Sequence, residues 1–412
     1  MDETHVVTCF LRNDADVLLF RRSDRVGTYQ GQWGVVSGHA EGDPDAAARQ
    51  EIAEETGLRD AVTFVRAGDP FTVEDADLDR RWVVHPYLFD CDDRDVTTNE
   101  ETTDYEWVPP TELLHRETVP DLWRSYDAVA PTVETVRTDA THGSAYVSVR
   151  ALEVLRDQAA VLAADGSDWG DLADLADDLA EARPSMAALG NRVNRVMAAA
   201  TDDRTPEAVE AAATDVIDDA IRADRATAAN AADRVAGKAV VTLSRSGTVT
   251  DALLAAAPDH VLVAESRPAR EGVGVAETLA DAGIDVTLTT DAAVASLLDD
   301  VDVVLVGADT VLPDGAVVNK VGTRAAALAA AREGVPVYAA CARDKVSTDP
   351  EPVLEAGDPA AVYDGPADLA VENPVFDVTP ADLVTGVVTE DGALDADDVA
   401  AVADDLRDLA DW

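Results

Sequence analysis

A chain of 412 residues exceeds what one compact core sustains, roughly 250 to 300 residues, so two or three domains are expected. Hydrophobic residues make up 47% of it and aromatics only 5%, which leaves Ala, Val and Leu to build the cores. The 82 acidic against 32 basic residues give a formal charge of −50, and lysine occurs only at Lys238, Lys320 and Lys345. No Lys/Arg cluster is present to displace counterions from a phosphate backbone, which argues against nucleic acid as a direct partner.

The acids are spread through periodic segments and are not bunched in tails. Such a surface suits a very salty cytoplasm, where a Debye length of about 3 Å screens the self-repulsion and the carboxylates keep the protein hydrated. Cys9, Cys91 and Cys341 lie far apart and the six histidines show no ligand spacing, so neither a disulfide framework nor a zinc site is expected. The chain begins without a basic region leading into an apolar run, and nowhere do eighteen apolar residues follow one another. A cytoplasmic protein with no membrane span is expected.

In chain order, residues 5–135 read as a mixed unit with strands at Val6–Leu11, Val17–Arg21, Val62–Arg66 and Trp82–Phe89. A Gly/Gln/Trp loop, a strand bearing Trp33-Gly34-Val35-Val36 and one strongly acidic helix lie between the second and third. From about residue 143 to 235 Ala, Leu and Asp recur at helical spacing and predict a helical domain. From Ala239 short β-rich runs (Ala239–Leu243, His260–Ala264, Asp285–Thr289, Val301–Val306, Pro336–Cys341) alternate with Ala-rich helical stretches. That alternation predicts a parallel sheet wound with helices, whose ligands bind beyond the carboxyl ends of the strands.

The acidic helix begins near Pro44, which suits a first turn, and Gly57 can stop it. Glu51, Glu54 and Glu55 stand at i, i+3 and i+4 and project from one face. Like charges placed so repel, which makes sense if Mg²⁺ or Mn²⁺ sits among them and bridges to a diphosphate. Asp174, Asp177 and Asp178 have the same spacing on a helix that reads as solvated, so context decides. The context is Gly38, a Gly-containing loop, then Gln50-Glu51-Ile52-Ala53-Glu54-Glu55-Thr56-Gly57-Leu58, and this resembles the Nudix box. Phe20-Arg21-Arg22, Gln32-Trp33-Gly34 and Glu106-Trp107-Val108 extend the resemblance over about residues 5–115. It implies an α/β/α sandwich, metal held by Glu51, Glu54 and Glu55, substrate contact at Gly38, and cleavage of a pyrophosphate-type bond in a nucleoside-diphosphate derivative. The chain is two residues shorter than the box between Gly38 and Glu51. Gln50 stands where the family has Arg, and Asp43 is the nearest stand-in for the first box Glu.

In the second half, Val306-Gly307-Ala308-Asp309 ends a predicted strand, and Asn319-Lys320-Val321-Gly322-Thr323 opens a helix. Backbone N–H groups at a helix start favour anions and a lysine beside them makes a phosphate clamp. Glu265-Ser266-Arg267-Pro268-Ala269-Arg270-Glu271-Gly272 and Ala182-Arg183-Pro184-Ser185-Met186 are two further candidate phosphate loops. With Asn373–Pro380 and Val388–Gly392 the set resembles, over about residues 143–412, the superfamily of the translation initiation factor 2B alpha, beta and delta subunits, methylthioribose-1-phosphate isomerase and ribose-1,5-bisphosphate isomerase. The resemblance implies an acid at Asp309 and substrate contacts from Arg183, Asn319 and Lys320, with Arg267, Arg270, Gly322 and Thr323 around them. It also implies a phosphosugar or nucleotide ligand and a homo-oligomer. Ser244 replaces the cysteine of the isomerases, which sets the chain beside the initiation-factor branch.

The expected architecture is therefore a multidomain α/β chain: a Nudix sandwich over 1–135, a helical domain over 143–235 and a Rossmann-like parallel-sheet domain over 236–412. The expected activity is Nudix hydrolysis beside a phosphosugar- or nucleotide-binding domain. Two alternatives remain open: an isomerase fed by the hydrolase, and a ligand-sensing regulator of translation initiation.

Overall fold

The computed structural model describes residues 2–40, 42–166 and 169–412. The chain forms two compact units, Met1–Thr132 with Glu153–Asp168, and Val133–Leu152 with Trp169–Trp412.

The first unit holds strands β1 (Asp2–Asn13), β2 (Asp16–Arg22), β3 (Trp33–Gly34) and β4 (Val36–His39), helix α1 (Pro44–Thr56), strands β5 (Val62–Ala67), β6 (Phe71–Asp75), β7 (Arg80–Cys91) and β8 (Thr102–Val108), and helix α2 (Leu122–Asp127). Its sheet runs β3-β2-β1-β7-β5, with β4 paired to β1, β6 to β7 and β8 to β2. β1 and β7 are parallel and the other pairs antiparallel. Period-two alternation divides the side chains between two cores. Val7, Cys9, Leu11, Leu18, Phe20 and Phe89 pack with Ala48 and Ile52 of α1. Phe10, Val17, Leu19 and Leu88 pack on the other face with Leu122 and Tyr126. The expected strand Trp33–Val36 is instead two short strands, β3 on β2 and β4 on β1. The break falls where Val35 enters one core and Val36 the other.

The second unit begins with α3 (Val133–Thr138), the first half of α4 (Ser144–Asp165), α5 (Trp169–Ala180), α6 (Ala187–Ala200) and α7 (Pro206–Val235). There follow β9 (Ala239–Leu243), α8 (Gly247–Ala256), β10 (His260–Ala264), α9 (Glu271–Asp281), β11 (Val286–Thr289), β12 (Val303–Gly307), β13 (Thr310–Val311), β14 (Val317–Lys320), α10 (Thr323–Glu333), β15 (Val337–Ala340), β16 (Phe376–Thr379), β17 (Gly386–Thr389), β18 (Gly392–Leu394) and α11 (Ala396–Asp408). The large sheet runs β11-β10-β9-β12-β15-β17-β18 and is parallel except at β18; β13, β14 and β16 form a small antiparallel sheet. Successive valines take opposite faces: Val240, Val261, Val263 and Val303 meet α7, α8 and α9, while Val241, Leu262, Val304 and Val306 meet α10 and α11. The winding reverses between β9 and β12, so the loops leaving their carboxyl ends diverge and open a crevice.

All three cysteines are buried and free. No helix among the described residues is long and apolar enough to cross a membrane.

Candidate functional site

α1 is set by its ends: the Asp43 side chain accepts from the Asp45 N–H at 3.1 Å, and Gly57 closes it in the left-handed region (φ 73°), its N–H donating to Ala53 O. Burying Ala48 and Ile52 fixes the helix rotation and brings Glu51, Glu54 and Glu55 to the wall of a cavity of about 480 Å³. Glu55 is buried and accepts from the Ser37 N–H at 3.4 Å. Glu51 lies so close to Gly38 that a Cβ there would fall 1.8 Å from its Oε1, and only glycine leaves room for that carboxylate. Gln50 donates to Glu54 Oε1 at 2.8 Å, so the residue in place of the family's Arg braces Glu54. Arg49 turns away and lies 5.8 Å from the Phe89 ring.

The electrostatics follow from this crowding. Burial, then the neighbouring Glu51, push the Glu55 carboxyl up to about 8. Glu51 is raised by burial and by Glu54 and Glu101. Among the described residues no three carboxyl, imidazole or thiol groups close on one point. The donor set still fits a hard divalent cation: oxygen ligands only, mutually repelling, one of them buried, around a glycine that keeps the space open. The exposed Asp174, Asp177 and Asp178 on α5, with the same spacing, line neither this cavity nor the crevice of the second unit. Farther along the wall stand Arg22, Tyr29 and Trp82, with the Arg80 guanidinium 5.4 Å from the Trp82 ring.

In the second unit the β9 and β12 loops meet as the topology requires. Ser244, Ser246, Asp309, Asn319 and Lys345 line a small cavity of about 50 Å³. Gly307 is needed there because a Cβ would sit 2.8 Å from Ser246 Oγ. Burial pushes the Asp309 carboxyl up, and the positive charges of Lys345 and Lys320 oppose that. The buried Lys345 ammonium donates to Ala308 O at 2.9 Å. Lys320 pairs with Glu271 at 2.7 Å. Asn319 donates to Thr323 Oγ1, and that hydroxyl donates to Lys320 O. Arg183 makes a fork to Glu355, with both Nη2 contacts at 3.2 Å. Thr310, next to Asp309, donates to Ser185 O and accepts from the Ala187 N–H, which anchors the Arg183 loop beside the acid.

Two of the expected phosphate loops are otherwise engaged or exposed in this structure. The start of α10 is not open to an anion, because the Gly322 and Arg324 N–H groups both donate to Asp377. Arg267 and Arg270 do not line the cavity: both are exposed, and Arg270 pairs with Glu265 at 3.2 Å. Sequence reasoning missed Glu101, Lys345, Ser246 and Glu355. Lys345 carried a signal, since lysine is so scarce here. Glu101 and Glu355 carried none, each being one acid among 82.

The Initiation factor 2 subunit family model matches residues 140–396, and the NUDIX domain model matches residues 3–129. A ribose 1,5-bisphosphate isomerase of Haloferax volcanii is 33% identical over 306 residues, 69% of this chain and 94% of that protein. A probable bifunctional methylthioribose-1-phosphate isomerase/methylthioribulose-1-phosphate dehydratase of Nocardia farcinica is 37% identical over 250 residues, 53% of this chain. The match spans only 45% of that relative's length. The crystal structure of the Pyrococcus horikoshii translation initiation factor eIF-2B superposes with a TM-score of 0.55 and 25% identity, over 64% of this chain and 94% of that one.

Proposed function

The chain belongs to the Initiation factor 2 subunit family and carries a NUDIX domain ahead of that region, and from this premise we propose a two-part molecule. Its first unit hydrolyses the phosphoanhydride of a nucleoside-diphosphate derivative, and its second binds a phosphosugar or nucleotide within a homo-oligomer. On this reading the seven-stranded sheet β11-β10-β9-β12-β15-β17-β18 is Rossmann-like, and the functional divisions of the chain are 1–135, 143–235 and 236–412.

The observation that carries it is the gathering of Glu51, Glu54, Glu55 and Glu101 on one cavity around Gly38. Bound Mg²⁺ or Mn²⁺ would supply positive charge to the anhydride and a more acidic water. Glu51 and Glu55 would hold the ion. Glu54, oriented by Gln50, faces the same space and is placed to take a proton from the attacking water. In molar KCl with Mg²⁺ the protein is expected to release phosphate-containing products from a member of an ADP-ribose and nucleoside triphosphate panel. Glu54→Gln should lower the rate by at least about a hundredfold. An inert wild type across the panel would leave a binding module.

A second reading, turnover of a ribose-1,5-bisphosphate-like sugar by the second unit, is favoured by the two lysines whose charges act on Asp309 and by the similarity to the ribose 1,5-bisphosphate isomerase of Haloferax volcanii. Ser244 supports binding over turnover, since a hydroxyl is a far weaker acid than the thiol it replaces. NMR of the sugar phosphate with wild type and Asp309→Asn separates the two.

A further inference from the structure

The Arg183 fork is already filled by the chain itself. Glu355 presents both carboxylate oxygens to it at 3.2 Å, and the Ser185 hydroxyl donates to the same carboxylate. The guanidinium side chain is only 10% exposed and the carboxylate 33%, so this is a half-sheltered pair and not a loose surface contact. Neither partner lines the small cavity itself, but the pair is coupled to it: Glu355 acts electrostatically on Asp309, and Thr310, next to Asp309, holds the Arg183 loop in place. The other cations near Asp309 are Lys320, engaged by Glu271, and Lys345, engaged by a carbonyl.

Glu355 sits where a long excursion begins. Ala356 bridges Pro374, the Gly357 N–H donates to Asn373 O, and the Val375 N–H donates to Glu355 O, which closes a narrow neck. Beyond it Val362, Tyr363 and Leu369 are exposed, and just before it Val353 and Leu354 are exposed as well. Little apolar burial therefore holds the segment that carries Glu355, which is tied by these backbone bonds and, through its side chain, by the ionic fork.

A guanidinium fork accepts a carboxylate and a phosphate by the same pair of parallel bonds. Both cannot occupy one fork, and two anions there would repel. We propose that Glu355 is an internal occupant of a phosphate subsite formed by Arg183 and Ser185, and that a phosphate group enters by displacing it and loosening the 358–372 excursion. This rests on the reading of the second unit as a phosphate-ligand domain. The contact lowers apparent affinity by the fraction of molecules in which the fork is free, and so sets a threshold on ligand concentration.

Inorganic phosphate titrated by calorimetry into the full chain in molar KCl tests this. Glu355→Gln removes the charge and keeps the shape, and is expected to bind phosphate about tenfold tighter than wild type, as the loss of one charge-assisted contact implies. Arg183→Gln is expected to bind none. Phosphate should also speed chymotryptic cleavage at Tyr363 in wild type, a readout that does not depend on the variants folding. If Glu355→Gln binds more weakly or equally, Glu355 positions Arg183 and the displacement idea is overturned. If Arg183→Gln binds as wild type does, or if no form binds, the subsite itself is wrong.

Discussion

Glu55 joins the geometry of the first unit to an observable pH dependence. Its carboxyl titrates at about 8 in the fold against an ordinary value of 4.5, so between those limits the folded state holds a proton that the unfolded state has released. Stability therefore falls as pH rises across that window. In chelator, the melting temperature should decline from about pH 5 to pH 8 and level off above. Mg²⁺, which takes the place of the proton, should flatten the decline, as should Glu55→Gln. A decline that persists in Glu55→Gln would place its origin elsewhere. The pattern Glu51, Glu54, Glu55 was legible in the sequence, but which of the three is buried was not. That depends on Ala48 and Ile52 facing the core and on Ser37 and Gly38 closing over the helix.

At the scale of elements, helices α4, α6 and α7 of the second unit share, beside their apolar packing, one fully buried polar side chain. Arg192 donates to Asp344 and Asp224, at 3.2 and 3.3 Å, and to the Ser148 hydroxyl at 2.9 Å. Removing the guanidinium leaves the Ser148 hydroxyl and the Asp224 carboxylate without that donor, while Asp344 keeps only Arg195. Arg192→Ala is expected to lose about 3 to 5 kcal/mol in urea unfolding, where a loss below about 1 kcal/mol would mean that water replaces the guanidinium. β9, β10, β11, β12 and β15 were readable to within two residues, because a parallel sheet covered on both faces produces uninterrupted valine runs. β13, β14, β16, β17 and β18 were not, since strands of two to four residues leave no period to detect. The occupant of the α10 N-terminus was equally hidden: Asp377 lies more than fifty positions from Gly322 in sequence, and only the β14–β16 pairing brings it there.

For the whole molecule, the −50 charge governs the response to salt. Repulsion among surface carboxylates is screened within about 10 Å at 0.1 M salt and about 3 Å at 1 M. The melting temperature should therefore rise between 0.1 and 2 M KCl, and a flat profile would remove the basis for reading the charge as an adaptation to salt. The same background makes any acidic triplet ambiguous by sequence, and the cavity around Gly38 separates Glu51, Glu54 and Glu55 from the exposed aspartates of α5. Loss of the free-ion electron paramagnetic resonance signal on titrating Mn²⁺ into the protein in 2 M KCl tests that distinction most directly. Wild type should sequester the ion, and more strongly with ADP-ribose present, while the Glu51→Gln/Glu55→Gln double variant should leave the signal of protein-free buffer. Equal sequestration by both proteins would contradict the assignment of the metal to this cavity.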